Sequence, residues 1–379
     1  MRVTVAIDSF KGSLTSFEAG NAIKKGILRA IPDANVSVCA IADGGEGTVE
    51  ALASGDNASL YKVDVKGPLG NTVTADYAVL HKGNIAVMEM AKSSGITLIS
   101  AERRNPMLTT TYGVGEMIKD AISRGCREFI IGIGGSATND GGVGMLQALG
   151  FKFLDENGKD VPYGAHGVGM IKKIITDIAI PELSECRFRI ACDVNNPLCG
   201  ELGCSAIFSR QKGADDEMIR VMDKYLYGYA VLTEKALGVN GINAPGAGAA
   251  GGLGFAFMTY LSATLEKGAR LIMETVELEK YIKDSDVVVT GEGRLDEQTV
   301  MGKAPVGVSE IAVKYGIPVI AFSGAVTDGA DACNSHGITA FFPILREICT
   351  LDKALTPDYA AKNLSKTAEQ AFRIVGAFK

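Results

Sequence analysis

Residues 130–150, IIGIGGSATNDGGVGMLQALG, constrain the fold of this chain more than any other segment. Residues 132–144 contain six glycines, and glycine loses more conformational freedom on folding than any other residue. Such density indicates a backbone that turns sharply or closely approaches another group. The apolar run 129–131 predicts the end of a buried strand, and a short helix is predicted from Met145. This arrangement predicts an anion-binding loop, with an ordinary capped turn as the alternative.

The composition is that of a folded protein with more than one domain. The chain has 379 residues, 47% hydrophobic and 22% charged, and chains of this length commonly divide into two domains. The net charge is −6 and no Lys- or Arg-rich run occurs, which disfavours nucleic acid as a partner. The N-terminus enters a strand directly, and no apolar run reaches the length of a membrane span. We therefore expect no membrane partner.

The eight cysteines are scattered along the chain. The group at 186, 192, 199 and 204 lacks the C-x2-C pairs that are typical of zinc sites. We therefore expect reduced thiols and a cytoplasmic protein.

Both ends of the chain alternate apolar strands, polar loops and amphipathic helices, whereas meandering strands begin near residue 60. Alternation of this kind is typical of an open parallel sheet, and a change of pattern indicates a second domain. The sequence therefore predicts an α/β fold of two domains. We expect residues 1–65 and 285–379 to form a discontinuous Rossmann-like, doubly wound parallel-sheet domain. We expect residues 66–284 to form an inserted mixed α/β domain that carries the Gly-rich loops.

Polar loops follow several of the predicted strands, at residues 8–11, 43–46, 136–140, 193–196 and 292–296. Carboxylates beside glycines are typical of Mg2+ sites, and Lys11 and Arg294 supply positive charge. Such groups suit phosphoryl transfer, although Asp43, Asp193 and Asp296 would equally cap helices or brace turns. Walker A and protein-kinase signatures are absent. His81 and His336 lie in predicted turns and His166 has no apparent partner, so a base would be a carboxylate.

Two other functions remain open on this evidence. Gly132-x-Gly134-x-x-Ala137 fits a loose dinucleotide fingerprint, which favours an NAD(P)-dependent oxidoreductase acting on a small hydroxy acid. The acidic residue that this reading requires about 20 positions on would be Asp155 or Glu156, in a turn-like DENG segment. The other alternative is a non-catalytic nucleotide-sensing module, which the number of ionisable loops disfavours.

Seven strings along essentially the whole chain resemble, in order, the bacterial-type glycerate kinases: DSFKGS, ADGGEGT, RNPMLTTTYGVGE, IGIGGSATNDGGVGM, CDVNNPLCG, PGAGAAGGLG and TGEGRLDEQTVMGKAP. Their joint occurrence is far more specific than any one of them. The resemblance implies ATP- and Mg2+-dependent phosphorylation of D-glycerate. It favours 2-phosphoglycerate over 3-phosphoglycerate as the product, and it leaves a homodimer open.

The resemblance also implies roles for individual residues. Asp193 would orient or deprotonate the substrate hydroxyl, Lys11 would neutralise transferred charge, and Glu292 and Asp296 would serve the metal or acid–base chemistry. Substrate binding is expected of Ser9, Asp43, Arg104 and Arg294, and metal binding of Asp140 and Asp296. Phosphate binding through the backbone and nearby polar groups is expected of two Gly-rich segments, at Gly134, Gly135, Ser136, Thr138, Asn139, Gly246, Gly248 and Gly251.

Overall fold

The structure is a computed structural model that describes residues 1–53 and 57–378. These residues form two compact units. Unit 1 contains residues 1–43, 50–53 and 267–378, and unit 2 contains residues 44–49 and 57–266. Across these residues, no helix combines the length and the apolar character that a membrane crossing requires.

The strands of the two units are numbered in chain order: β1 Arg2–Ile7, β2 Asn35–Ala40, β3 Ala58–Lys66, β4 Thr72–Leu80, β5 Ile85–Glu89, β6 Glu128–Gly132, β7 Lys152–Leu154, β8 Lys173–Ile175, β9 Arg187–Ala191, β10 Thr264–Glu266, β11 Val287–Leu295, β12 Val319–Val326 and β13 Ala340–Pro343.

The α-helices are numbered in the same way: α1 Ser16–Ala30, α2 Thr48–Ala53, α3 Ala91–Ser94, α4 Tyr112–Ser123, α5 Val143–Ala148, α6 Gly164–Val168, α7 Cys204–Phe208, α8 Asp216–Leu237, α9 Ala249–Leu261, α10 Gly268–Thr275, α11 Leu278–Ile282, α12 Ala304–Val313, α13 Ala332–Ser335, α14 Leu351–Leu355 and α15 Pro357–Ala377. Short 3-10 turns lie at Ile96–Leu98, Ala101–Arg103, Pro181–Glu185, Arg210–Lys212, Thr299–Met301 and Asp328–Asp331.

Unit 1 is built on a five-stranded sheet in the order β13-β12-β11-β1-β2, in which every pair of neighbours is parallel. The predicted doubly wound sheet is confirmed, since apolar residues that alternate along β1 enter two different cores. Val3, Val5 and Ile7 pack with α1 and α15, whereas Ala6 packs with α10, α11 and α12. The strand order is the flavodoxin-like one. Successive strands are added to one side of β1 and then, from β11 onward, to its other side, so the order reverses between β1 and β11 although the strands stay parallel.

Helix α1 begins where the sequence predicts, because Thr15 and Glu18 form a capping box. The Glu18 N–H donates to Thr15 Oγ1 at 3.2 Å, and the Thr15 N–H donates to Glu18 Oε2 at 2.9 Å. These bonds satisfy N–H groups that a helix start would otherwise leave without a partner. The helix therefore follows β1 after a loop of eight residues, 8–15, which includes the polar residues 8–11.

Unit 2 is built on a six-stranded mixed sheet in the order β10-β9-β6-β5-β4-β3. Strands β5, β6, β9 and β10 run parallel to one another, and the meander β3-β4-β5 is antiparallel. Strands β7 and β8 form a separate antiparallel pair. One large core that includes Phe129, Phe153 and Tyr229 lies within this unit.

The boundaries of the two units differ from the predicted boundaries at 65/66 and 284/285. Strand β3 pairs with β4 over its whole length, so it belongs to the inserted unit and not to the first. Helices α10 and α11 pack on the parallel sheet of unit 1. Pairing with β4, the next strand in the chain, places β3 in unit 2, whereas packing on strands distant in sequence places α10 and α11 in unit 1.

The contact between α1 and α15 generates a prediction about two glycines. A Cβ added at Gly26 would overlap the carbonyl oxygen of Ser365, whereas a Cβ at Gly376 would meet Ile31 at 3.5 Å, an ordinary contact. We expect Gly26→Ala to lower the stability of the protein by about 2 kcal/mol, because the two helices must separate. Gly376→Ala, the matched control, should leave stability unchanged or slightly higher. Urea unfolding followed by circular dichroism measures both, and an unchanged midpoint in Gly26→Ala would contradict the prediction.

Candidate active site

The polar loops of unit 1 meet where the strand order reverses, between β1 and β11. The Asp8 N–H, just after β1, donates to the carbonyl oxygen of Gly291 in β11 at 3.1 Å. Gly291 must be glycine, because a Cβ there would overlap the Phe322 carbonyl oxygen on the neighbouring strand. Ligands of doubly wound sheets bind outside the carboxyl ends of the strands at this kind of reversal. The side chains at this end of β1 and β11 are therefore the first candidates for chemistry.

Asp8 is a buried carboxyl group in this region, with 5% of its surface exposed. Burial, together with the neighbouring charge of Asp43, raises the pKa of Asp8 to about 7. Its Oδ1 accepts the N–H of half-buried Ser9 at 2.6 Å. Lys11 Nζ lies 3.0 Å from Asp43 Oδ2, and the lysine side chain is largely exposed. A carboxyl group with a pKa near neutrality can exchange a proton with a substrate at physiological pH.

A second group of charges surrounds Lys303. Its Nζ lies 3.9 Å from Glu292 Oε2 and 3.6 Å from Asp296 Oδ1. The hydroxyl of Thr299 donates to Glu292 Oε1 at 2.8 Å, and Arg294 Nε lies 3.3 Å from Asp296 Oδ2. Burial raises the pKa of Glu292 above its ordinary value, against the opposing effect of the Thr299 bond. Two carboxylates thus share one cation in unit 1.

The donor set suits Mg2+ only in combination with a substrate. Within residues 1–53 and 57–378, no group of three His, Cys, Asp or Glu side chains is arranged to hold a metal. Mg2+ keeps several waters and is commonly held by one or two carboxylates together with substrate phosphates. Glu292 and Asp296, which both approach Lys303, fit that requirement.

The Gly-rich segment of unit 2 has the predicted order of strand β6, loop and helix α5, but its helix start does not face solvent. Residues 136–146 are all buried. The Asp140 carboxylate accepts the Gly142 N–H at 3.1 Å through Oδ1 and the Gly144 N–H at 3.3 Å through Oδ2. The position predicted for a phosphate at this helix start is therefore occupied by the chain's own carboxylate. That part of the prediction is corrected.

Asp140 is also bound from a distant segment. Its Oδ2 accepts the Thr111 N–H at 2.8 Å and the Thr111 hydroxyl at 2.9 Å. Burial raises the pKa of the Asp140 carboxyl, and these hydrogen bonds oppose that shift. An oxygen that already accepts several short hydrogen bonds in the interior has little capacity left for a cation. The geometry favours a structural role for Asp140 over the predicted metal role.

Only the beginning of this loop is accessible. Gly134 and Gly135 are exposed, and Ser136 is 9% exposed, whereas Thr138 and Asn139 are fully buried. The Asn139 amide donates to Ser205 Oγ at 2.9 Å and accepts from Ser209 Oγ at 3.2 Å. Of the five residues predicted here for phosphate binding, Gly134 and Gly135 lie at the surface, Ser136 is buried directly after them, and Thr138 and Asn139 lie in the interior.

The second Gly-rich segment, residues 246–254, packs against the first. Gly246, Gly248 and Gly251 are buried. Gly251 accepts the Gly141 N–H through its carbonyl oxygen at 2.9 Å, and a Cβ at Gly251 would overlap the Thr138 carbonyl oxygen. Glycine at this position is therefore explained by the close approach of two backbones. A direct role of the three glycines in phosphate binding stays a prediction.

The remaining predicted residues lie in unit 2. Asp193 is exposed in the loop after β9. Arg104 is half-buried, and its Nη1 donates to the Gln211 carbonyl oxygen at 3.4 Å. The structure therefore groups Ser9, Lys11, Asp43, Glu292, Arg294 and Asp296 within unit 1, with Asp193 and Arg104 in the other unit.

Three ionisable residues with notable positions in the structure are not among the predicted site residues. Asp8 opened a predicted polar loop without being selected, although an acidic residue directly after a buried strand is a usable signal. Lys303 lies in the string TGEGRLDEQTVMGKAP, but only the fold brings it to Glu292 and Asp296. Lys212 is 2% exposed, and its Nζ donates to Ser136 Oγ at 2.8 Å. No sequence pattern marks Lys212.

Comparison with known proteins identifies the family. The profile of the Glycerate kinase family matches residues 3–376. The chain belongs to the glycerate kinase family. The resemblance that the seven strings carry is thereby confirmed, and the chain is a kinase.

Individual relatives match over their full length. A Haemophilus influenzae protein named glycerate kinase is 44% identical over 379 residues, which is 100% of both chains. An Escherichia coli K12 protein named glycerate 2-kinase is 43% identical, over 99% of this chain and 100% of that protein. A crystal structure from Salmonella typhimurium LT2, assigned as a glycerate kinase 2, has a TM-score of 0.92 at 41% identity and covers 100% of this chain and 98% of its own.

The contacts of Asp140 generate a prediction that separates its two roles. We expect Asp140→Asn to destabilise the protein by about 3 kcal/mol in buffer with EDTA, because the amide would turn an N–H group toward buried donors. Asp155→Asn is the control, since Asp155 Oδ1 also accepts two backbone N–H groups, from Asn157 and Lys159, in an exposed turn. Chemical unfolding measures both variants. An Asp140→Asn protein that is as stable as wild type without metal, and loses only a stabilisation by Mg2+, would restore the metal role.

Proposed function

We propose that this chain transfers the terminal phosphoryl group of ATP to D-glycerate, with Mg2+, and that 2-phosphoglycerate is favoured over 3-phosphoglycerate. The full-length relationship with proteins named glycerate kinase, one of them named glycerate 2-kinase, carries the proposal. The charged groups of unit 1 support it, because phosphoryl transfer needs mainly positioning and neutralisation of charge.

The proposed roles follow from charge and exposure. Lys11 and Arg294 are largely exposed cations that can neutralise the transferred group. Asp43, which is paired with Lys11, and Ser9 of the same unit are proposed as groups for the substrate. Arg104 is proposed to bind the carboxylate of glycerate. Glu292 and Asp296 would hold Mg2+, which when bound to ATP offsets the charge of the phosphates. In unit 2, the exposed Gly134 and Gly135 and the neighbouring Ser136 are proposed to meet a phosphate.

The base that accepts the hydroxyl proton has two candidates. Asp193 is the one that the resemblance implies. Asp8 is the second, because it is buried after β1 and its pKa is raised to about 7. A general base is most effective when its pKa lies near the working pH.

The alternative of a dinucleotide-dependent oxidoreductase is not retained, since the chain belongs to a kinase family. The local structure agrees with this. Asp155 lies in the turn after β7, a strand of the separate β7–β8 pair, and its Oδ1 accepts the N–H groups of Asn157 and Lys159. The fingerprint requires an acidic residue that is free to bind ribose hydroxyls at the end of a parallel strand.

We also propose that the enzyme acts in the cytoplasm, which the scattered cysteines favour. A homodimer is a separate proposal, and the mass of the purified protein in solution tests it.

The proposed reaction has a product that can be detected directly. Purified protein with ATP, Mg2+ and D-glycerate should produce ADP and a phosphomonoester. 31P NMR detects both products. The coupling of that signal to the carbon-bound hydrogens distinguishes 2-phosphoglycerate, a doublet, from 3-phosphoglycerate, a triplet. L-Glycerate is the control substrate. Folded protein that forms no ester in the presence of Mg2+ would overturn the proposed function.

The pH dependence of the reaction and two substitutions distinguish the two candidate bases. If Asp8 accepts the proton, kcat/KM of the wild type should rise with pH until about pH 7 and then level off, because only the ionised carboxylate accepts a proton. Asp8→Asn should then lower kcat about a hundredfold or more, whereas Asp193→Asn should keep the rise. If Asp193→Asn instead lowers kcat by that factor and Asp8→Asn does not, the base is Asp193.

Stability provides the control for Asp8→Asn. The folded pKa of Asp8 is raised from 3.8 to about 7, so ionisation of Asp8 costs stability as pH rises from about 4 to 7. The asparagine variant avoids that cost and should be at least as stable as the wild type at pH 8. A loss of activity at that pH therefore cannot be attributed to unfolding.

A further inference from the structure

Lys212, at the end of the 3-10 turn Arg210–Lys212, is a buried cation whose hydrogen bonds lead to the Gly-rich loop of unit 2. Its Nζ donates to Ser136 Oγ at 2.8 Å and to the Thr138 carbonyl oxygen at 2.6 Å. Both acceptors are neutral. Among the residues that the structure describes, no carboxylate forms an ion pair with Lys212. A buried ammonium without an ionic partner is costly to stability, so its presence calls for an explanation.

The surroundings of Lys212 do not supply the missing negative charge at close range. Cys204 is a neighbour, and burial raises the pKa of its thiol to about 12, so it is neutral at physiological pH. Asp140 acts on Lys212 over a longer distance, and its carboxylate already accepts hydrogen bonds from Thr111, Gly142 and Gly144. Positive potential therefore remains at the loop.

Ser136 connects Lys212 to a ligand of the loop through hydrogen bonds. Because Ser136 Oγ accepts a hydrogen bond from Lys212, the hydrogen of its hydroxyl is directed to another acceptor. Ser136 directly follows Gly134 and Gly135, which are exposed. Thr138 Oγ1, which is fully buried, has no hydrogen-bond partner within the described part of the chain. An exposed Gly-Gly segment, a hydroxyl donor and a cation behind it are the components of an anion site.

We propose that Lys212 is a positioning residue that fixes Ser136 and gives residues 134–136 the positive potential to bind a phosphate group of the nucleotide. The identity of the ligand as a nucleotide rests on the proposed function, but the binding of an oxyanion does not. Burial of the Lys212 ammonium serves binding, since the field of a charge is screened less in the interior than at the surface.

Two substitutions separate charge from hydrogen bonding. Lys212→Gln retains a side-chain donor and removes the charge, and Lys212→Met removes both. We expect each variant to bind ADP about tenfold or more weakly than the wild type, measured by isothermal titration calorimetry without glycerate. In turnover assays KM for ATP should rise by a similar factor, while kcat changes less. Lys92→Gln is the matched control, because Lys92 is a half-buried lysine of the same unit that is paired with Asp76.

The pH dependence gives a readout that a purely structural lysine would not move. Burial lowers the pKa of Lys212 to about 8, so the cation is lost as pH rises through 8. The wild type should therefore bind ADP and pyrophosphate more weakly at pH 9 than at pH 7, and Lys212→Gln should show no such decline. Cys204 remains neutral over this range, and Asp140 is bound within the loop.

Several results would overturn the inference. Wild-type affinity for ADP in a folded Lys212→Gln protein would reduce Lys212 to a hydrogen-bonding residue. Absence of binding of ADP and pyrophosphate to the wild type would remove the anion site. Failure of glycerate phosphorylation alone would overturn the proposed function and leave this inference standing, because neither binding measurement uses glycerate. Thermal unfolding of each variant verifies that the protein under test is folded.

Discussion

The carboxylate of Asp140 organises the Gly-rich loop of unit 2. It accepts hydrogen bonds from the start of α5 at Gly142 and Gly144, and from Thr111 directly before α4. Two helix starts are thus joined to one buried charge, which replaces the exposed phosphate site that such a loop normally predicts. Gly251 approaches the same loop so closely that no side chain fits there. Gly134 and Gly135 remain accessible at the edge of this hydrogen-bonded arrangement, and Ser136 lies buried directly after them.

Unit 1 depends on a different constraint, the reversal of strand order between β1 and β11. A parallel sheet brings the ends of its strands to one edge, so residues as distant in sequence as Asp8 and Gly291 become hydrogen-bonded neighbours. The sheet buries Asp8 but leaves Lys11 largely exposed. Burial raises the pKa of Asp8 to about 7, while Lys11 remains an accessible cation. The two units therefore differ in their candidate groups: unit 1 has titratable carboxylates, and unit 2 has the loop for which we propose anion binding.

Local chemistry explains which features were predictable. Thr15 and Glu18 cap α1 as predicted, because a capping box depends only on residues three apart. The order of β6, loop and α5 was also predictable, since an apolar run, glycines and a helical segment are adjacent in sequence. The partners of that loop were not, because Thr111, Ser205 and Lys212 approach it from 29 to 76 positions away. The same limitation displaced the predicted unit boundary at 284/285, because α10 and α11 pack with Ala6 of β1, which is distant in sequence.

The sequence by itself determined the α/β class, the alternation of elements at both chain ends, and membership of a kinase family through seven ordered strings. These features are written in local patterns and in the order of motifs. Only the tertiary structure decided which polar residues are accessible and which support the fold: Asn139 and Asp140 became interior, Gly134 and Gly135 remained exposed, and Lys212 reached Ser136 without any motif. The physical reason is burial, which depends on contacts between distant segments and sets both access to ligand and the cost of every charge.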